Sequence, residues 1–264
     1  MKKLLIAAFL LCWTAMAAAQ ATEEAAPKEP PSATGASITT ADEIMAKVYV
    51  RDRRREKLSK GYAGQRLYVF DNEKWHKHAE LLVSVKGDPD GSKHFEVLNE
   101  QGWKAANRRV LRKMLESEAE TSSPAFRPKT LLTPQNYSFS LVGTELAEGR
   151  PTYVIAVTPK REDKYLFEGQ IWVDGVDYAV VRCEGKPAKN PSFWTRKIHF
   201  VHQYQKTSDF WFPHTTESIT EARIFGTTNV VIHYLDYAPN TAPEPDSTSP
   251  QNASMQKVNY VSKH

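Results

Sequence analysis

The side chains best suited to chemistry in this chain are its eight histidines. His76 and His78, in the stretch WHKH, would point the same way if that stretch is extended. A second group could meet across neighbouring strands and consists of His199, His202, His214 and His233. No carboxylate or cysteine lies at a recognised zinc spacing beside either group, and His199 and His202 face opposite sides of a strand. We therefore expect surface and strand-packing histidines and no metal site.

Motifs for covalent or cofactor chemistry are missing from the sequence. It contains no G-x-S-x-G elbow, no phosphate-binding loop and no dinucleotide-binding glycine pattern. Acidic residues are scattered, so no pair can be assigned to acid–base work. Cys183 lies in an alternating apolar strand, which favours a buried thiol over a nucleophile. These features predict a non-enzymatic protein without a cofactor.

Aromatic residues are the more informative class. They concentrate in one part of the chain, at Trp172, Phe193, Trp194, Phe210, Trp211 and Phe212. In a folded domain such residues either close a core or line a site for an apolar ligand. Core closure is the commoner outcome, and both interpretations stay open.

Two helices are predicted to support these residues. Thr40 is a plausible N-cap for the first, and Glu43 would complete a capping box. The basic run RDRRREKLSKGY follows, with Arg53–Arg55 at its centre, and we interpret it as a solvated helix face rather than a binding patch. The second helix is predicted over NRRVLRKMLESEAE, where apolar residues recur at helical spacing before a Ser-Ser-Pro stop.

Most of the remaining chain from Tyr62 has a period of two and predicts strands joined by tight turns. Asp-Gly after a proline in GDPDGS is a hairpin signal, because proline fixes φ and glycine supplies positive φ. Consecutive strands linked in this way form an antiparallel meander. The predicted fold class is α+β, a curved antiparallel β-sheet (half-barrel) wrapped over two or three helices.

So few helices are not expected to cover so many strands completely. A cavity or groove on the concave face follows from this comparison, and a densely packed core is the alternative. The candidates for contact with an apolar ligand are Phe167, Ile171, Val173, Val181, Trp194, Ile198, Phe200, Tyr204, Val230 and Ile232.

The stretch CEGKPAKNPSFWTRKIHF interrupts the strands with two prolines. It predicts a long connection in which Lys186 and Lys189 are solvated while Phe193 and Trp194 anchor its return. The alternative is a rim or lid over an apolar cavity, with Trp194 as the contact.

The start of the chain carries a signal of export. Lys2 and Lys3 precede an apolar run that ends in small residues, which is typical of a cleaved secretory signal peptide. We expect residues 1–21 to be the signal, 22–37 a disordered linker, 38–237 one domain and 238–264 a disordered tail. Removing the two lysines lowers the net charge from +4 to +2, so general polyanion binding, including binding of nucleic acid, is not expected.

Several motifs together carry a resemblance to a known family. They are FEGQIWVD, EGKPAKNPSFW, YQK followed by FWFP, and the closing IHYLDY, with a weaker match in TPQNYSFSLVGTE and YVIAVTPK. This part of the chain resembles bacterial outer-membrane lipoprotein-sorting-like proteins, relatives of the periplasmic lipoprotein carrier. The resemblance implies a half-barrel whose apolar cavity shields lipid chains from water.

The leading hypothesis is therefore a periplasmic, non-enzymatic binding or carrier protein for lipid or lipoprotein acyl chains, with a monomer as the favoured oligomeric state. The alternative is a protein-interaction or envelope-stress sensory module with the same fold and a membrane-protein partner. A hydrolase is the least favoured function, because no motif supports one.

Overall fold

A computed structural model describes residues 40–58, 60–147, 149–207 and 210–240. The predicted signal peptide and linker lie outside these residues, as does nearly all of the predicted tail, so those assignments stay predictions. No helix within the described ranges has the length and apolar character needed to cross a bilayer.

The first helix, α1 (Ala41–Leu58), begins at the predicted capping box. The Glu43 amide donates to the Thr40 hydroxyl over 3.2 Å, and the Thr40 amide donates to the Glu43 carboxylate over 3.0 Å. Its buried stripe includes Ile44, Met45 and Val48 and continues into Asp52, one turn further on. The predicted apolar stripe is therefore present, with a carboxyl group at its end.

The second helical segment is one run of three pieces: α2 (Lys104–Ala106), a π-helical stretch (Asn107–Leu111) and α3 (Arg112–Ser122). A single 3₁₀ turn (Arg127–Lys129) follows in the connection to the next strand. Within the described ranges two helical segments therefore cover the sheet. The prediction of two or three helices is correct only at its lower bound, and the regular α-helical part of the second segment, α3, is shorter than the predicted helix.

Ten strands form the sheet, and every one falls on a predicted β segment. They are β1 (Tyr62–Asn72), β2 (Lys77–Gly87), β3 (Lys93–Gly102), β4 (Tyr137–Ala147), β5 (Arg150–Pro159), β6 (Phe167–Asp174), β7 (Val180–Pro187), β8 (Thr195–Thr207), β9 (Phe210–Ala222) and β10 (Gly226–Pro239). β10 extends two residues beyond the predicted domain boundary at Tyr237.

The strand order is β3-β2-β1-β10-β9-β8-β7-β6-β5-β4, antiparallel throughout. It consists of two meanders joined by the pairing of the first strand with the last. β3 and β4 are the two edges, so the segment between them must cross from one edge to the other. The second helical segment lies in that crossing and covers part of the inner face.

Two main apolar cores lie on that inner face. α1 packs on one core with strands β4 to β9, and the second helical segment packs on the other with β1, β2 and β10. A single cross-strand row passes through both cores and contains Ile155, Ile171, Cys183, His202, Thr216, Ile232, Tyr68 and Leu81. All eight are buried, which places the polar pair His202 and Thr216 at the boundary between the cores.

Candidate functional site

A cavity of about 440 Å³ lies between α1, the end of α3 and the connection that precedes β4. One wall is apolar and includes Val48, Tyr49, Leu131, Leu132 and Pro134. The Tyr49 hydroxyl donates to the Leu132 carbonyl and so ties the helix to the connection. This volume is within the range of about 300–1,000 Å³ that is usual for small-molecule sites.

Buried charges form the floor of the cavity. Glu118 and Lys93 line it, and their side chains form an ion pair, while the second Glu118 oxygen accepts from the Arg66 guanidinium at 2.7 Å. The side chains of Arg66, Lys93 and Glu118 are 2, 7 and 4% exposed. Burial alone would raise the pKa of Glu118, but Arg66 and Lys93 outweigh it and hold the pKa at about 2. Glu118 is therefore a carboxylate at any physiological pH.

Aromatic residues enclose Arg66. Its Nε donates to the Tyr237 hydroxyl at 2.5 Å, and its guanidinium lies 4.7 Å from the centre of the Tyr234 ring and 5.4 Å from that of Phe95. Such faces stabilise a cation that has lost its water. The cluster of Arg66, Lys93 and Glu118, called the charged cluster below, is thus compensated on every side.

Asp52 is another carboxyl group in the cavity, and its pKa is shifted in the opposite direction from that of Glu118. It lies on the buried stripe of α1, and burial raises its pKa to about 8 although Arg51, bonded at 3.2 Å, opposes the shift. Asp52 is therefore mostly protonated at pH 7 and can donate a hydrogen bond. Glu118 thus gives the cavity a fixed negative charge and Asp52 a neutral donor, while Glu56, a third carboxyl group in the lining, is paired with Arg127.

The basic run around Asp52 is only partly the solvated face that the sequence predicts. Arg53 and Arg54 are exposed, whereas Arg51 and Arg55 are half-buried. Burial lowers the pKa of Arg55 to about 10. Arg51 and Arg55 lie beside Asp177 and Tyr178 in a separate depression, whereas Arg53 borders the cavity.

Of the histidines named in the sequence analysis, all of which lie within the described residues, only His202 is buried. Its Nδ1 bonds the Thr216 hydroxyl, which in turn contacts the Tyr234 hydroxyl at 3.1 Å, and its Nε2 is buried without a partner. Burial first, and then Arg66 and Lys93, lower the pKa of His202 to about 3. It is therefore a neutral packing histidine at pH 7.

The other histidines lie apart from it. His76, His78, His199 and His214 are exposed, and His78 bonds Asp71 at 2.8 Å. Among the described residues no group of three or more potential ligands is arranged to hold a metal ion.

Nine of the ten apolar candidates are buried in the cores, all except Trp194. Phe167, Ile171, Val173, Val181, Ile198, Phe200 and Tyr204 belong to the α1 core, and Val230 and Ile232 belong to the other. The cavity of 440 Å³ is lined by a different set. The prediction that the ten side chains contact a ligand stays a prediction.

Phe193 and Trp194 do not anchor the β7–β8 connection, and this part of the sequence interpretation is wrong. Phe193 is 73% exposed and Trp194 is 38% exposed. The connection is instead held by polar contacts, in which the Arg223 amide donates to the Trp194 carbonyl at 2.9 Å. Lys186 and Lys189 are exposed, as expected.

Sequence reasoning missed the charged cluster and Asp52, although a signal was present. Arg66 alternates with Tyr68 and Phe70 on the inward side of β1, and Glu118 follows Leu111 and Leu115 on one helix face. A charged residue at a position that the period assigns to the core must be paired, and such positions mark candidates.

The family described as "Family of unknown function (DUF5686)" matches residues 126–239, from the connection before β4 to the end of β10. No curated protein matches the sequence.

Three of the solved structures similar to this chain come from different bacteria. A LolA superfamily protein from Nitrosomonas europaea has 12% identity and a TM-score of 0.42, over 77% of this chain and 95% of that one. A domain assigned to outer membrane lipoprotein sorting from Vibrio parahaemolyticus has 13% identity and a TM-score of 0.40, over 76% and 93%. A DUF1329 family protein from Desulfovibrio piger has 13% identity and a TM-score of 0.39, over 76% and 95%. The similar structures thus include the lipoprotein-sorting group that the sequence motifs indicate, and at these values they say nothing about what this chain binds.

Proposed function

We propose that the protein is a periplasmic, non-enzymatic binding or carrier protein for lipid or lipoprotein acyl chains. The observation that carries the proposal is the cavity of about 440 Å³ between α1 and the connection before β4. Export of the chain, which the proposal needs, rests on the signal-peptide pattern of its first residues.

The lining of the cavity suits a molecule with an apolar part and a polar part. Val48, Leu131 and Leu132 offer an apolar wall, and each methylene removed from water there is worth about 0.8 kcal/mol. At the other side the wall is polar, with Asp52 and the Glu118–Lys93 pair. An acyl chain attached to a polar group is complementary to both sides.

Asp52 supplies the polar contact in this proposal. As a neutral carboxyl group near pH 7 it donates a hydrogen bond, and the carbonyl oxygen of an acyl ester or amide accepts one. The Glu118 charge is already compensated by Arg66 and Lys93, so it does not demand a ligand cation.

The test is retention and uptake of lipid. The chain is purified from the periplasm without detergent and examined by native mass spectrometry, then delipidated and titrated with a fluorescent fatty-acyl probe. We expect one bound lipid per chain in both measurements. Leu131→Trp, which places a larger side chain in the cavity, should abolish uptake.

Leu146→Trp is the matched control, because Leu146 lies on the surface of β4 and is 74% exposed. Both variants must keep the unfolding midpoint of the wild type. Absence of bound lipid together with absence of probe uptake would contradict the proposal. Recovery of an envelope membrane protein with the lipid-free chain would favour the interaction module instead.

A further inference from the structure

Beside the β5–β6 connection (160–166), four further connections lie together at one end of the sheet. They are the β1–β2 turn (73–76), Trp103 after β3, the β7–β8 connection (188–194) and the β9–β10 turn (223–225), called the aromatic end below. Antiparallel strands bring alternate connections to the same end. The start of β3, where Lys93 lines the cavity, is at the opposite end of that strand.

Large apolar side chains protrude from the aromatic end. Phe193 is 73% exposed, Ile224 46% and Trp194 38%. Soluble proteins rarely expose large apolar side chains together in this way, and a group of them marks an interaction surface. Phe193 and Trp194 meet edge to face with ring centres 5.5 Å apart.

The tips are also fixed to one another. Trp75 packs edge to face against Phe225 at 5.0 Å and against Trp103 at 5.5 Å. The Lys74 ammonium donates to the Ile224 carbonyl at 2.8 Å, and the Arg223 amide donates to the Trp194 carbonyl. The exposed side chains therefore stand on a rigid base, which lowers the entropy lost when they bind.

Cations surround these side chains. Lys74, Lys189, Arg196 and Arg223 are exposed, and none of the four is paired with a carboxylate within the described ranges. Arg223 lies over the Phe193 ring at 4.6 Å. Glu73 is the one acidic residue in the sequence of these four connections, and the neighbouring β5–β6 connection adds Glu162 and Asp163 together with Lys160, Arg161 and Lys164.

We infer that the aromatic end is a docking surface for an anionic phospholipid bilayer. Tryptophan and phenylalanine favour the boundary between headgroups and acyl chains, and unpaired Lys and Arg are attracted by anionic headgroups. The protruding side chains can insert between lipid headgroups. An acidic protein partner would need a surface pocket of complementary shape to accept them. This inference does not depend on the cavity or on what the cavity holds.

Co-sedimentation with vesicles tests it, using the exported, processed chain with its C-terminal segment. Vesicles of phosphatidylglycerol and phosphatidylethanolamine should bind the protein, and vesicles of phosphatidylcholine should not. Added salt should weaken the binding, because it screens the headgroup charge.

Two sets of variants separate the apolar and charged contributions. The double variant Phe193→Ser, Trp194→Ser should bind at least about tenfold more weakly, as expected for loss of two inserted side chains. Arg223→Gln should weaken binding about fivefold. Leu146→Ser is the control, because Leu146 is as exposed as Phe193 (74% against 73%) but lies at the other end of the sheet, and it should bind as the wild type does.

Three results would overturn the inference. The first is failure of the wild type to bind anionic vesicles at low salt. The second is a loss of binding in Leu146→Ser as large as that in the double variant. The third is binding only to vesicles that contain envelope membrane proteins, which would make the aromatic end a protein-docking surface. Unfolding curves of each variant show whether a loss of binding reflects a loss of fold.

Discussion

Replacement of Glu118 by glutamine should destabilise the protein strongly. The side chain keeps its shape and one acceptor oxygen, but its charge disappears while Arg66 and Lys93 remain buried at 2 and 7% exposure. Removing one member of a buried ion pair typically costs about 3–5 kcal/mol, because the remaining charge is uncompensated. Two cations depend on Glu118, so we expect a loss in the free energy of unfolding of at least about 3 kcal/mol.

The pKa of Glu118 gives a second route to the same magnitude. The fold lowers it from 4.5 to about 2, which corresponds to about 3 kcal/mol. A carboxyl group whose pKa is lowered by folding stabilises the protein above its unfolded pKa. This stabilisation is complete above about pH 4.5 and is lost as the pH falls toward 2. Glu118→Gln should lack this part of the acid-dependent loss.

Urea unfolding at pH 7 and at several values between 5 and 2 measures both effects, and Glu116→Gln is the control. Glu116 lies on the same helix and pairs with Lys113, but its side chain is 61% exposed, so its loss should change stability by less than about 0.5 kcal/mol. The reasoning is refuted if Glu118→Gln unfolds within about 1 kcal/mol of the wild type at pH 7. It is also refuted if the two proteins have the same pH dependence below 4.5.

Three further predictions concern Asp52, His202 and Gly169. Burial raises the pKa of Asp52 from 3.8 to about 8, so the free energy of unfolding should fall as the pH rises between these values. The variant Asp52→Asn should not show that fall, and at pH 9 it should unfold at a higher urea concentration than the wild type does. Titration of the Asp52 carboxyl near pH 4, measured by NMR, would contradict this prediction. The pKa of His202 is lowered from 6.5 to about 3, so the wild type should lose stability as the pH falls through this window. The variant His202→Leu also removes the Nε2 atom, which is buried without a partner. Its melting temperature should equal or exceed that of the wild type at pH 7 and should exceed it at pH 4.5. A lower melting temperature at both pH values would contradict this prediction. In Gly169→Ala the new Cβ would lie 2.0 Å from the Glu184 carbonyl oxygen, so the free energy of unfolding measured in urea should fall by about 1–3 kcal/mol. Gly143→Ala is the control and should be nearly neutral, because its Cβ would have nothing within 4 Å. Equal effects of the two substitutions would refute the steric argument.

The sequence predicts the elements of this fold because their signals are local. A capping box at Thr40 and period-two alternation in each strand depend only on neighbouring residues, and the structure has both. The pairing of β1 with β10 is not local, since it joins residues such as Tyr68 and Ile232 across most of the chain. Such a pairing leaves no pattern in either strand.

The position and lining of the cavity could not be predicted for a related reason. Strand faces identify which side chains point inward, as for Phe167, Ile171 and Phe200, but not which of them a helix covers. α1 covers these three, and the open volume lies beside the helix, where an irregular connection forms the wall with Leu131 and Leu132. A connection without regular structure has no period from which burial can be inferred.

The division of the inner face into two cores explains why the open volume lies where it does. α1 and the second helical segment each bury one half of the sheet, and the charged cluster lies where α3 ends beside β3. Buried charges need their full set of partners, so Arg66, Lys93 and Glu118 must hold a fixed geometry. An apolar side chain that packed against these charges in place of a partner would leave polar atoms unpaired. The floor of the cavity is therefore rigid, whereas its other wall is held to α1 by single contacts such as Tyr49 with the Leu132 carbonyl and Arg127 with Glu56.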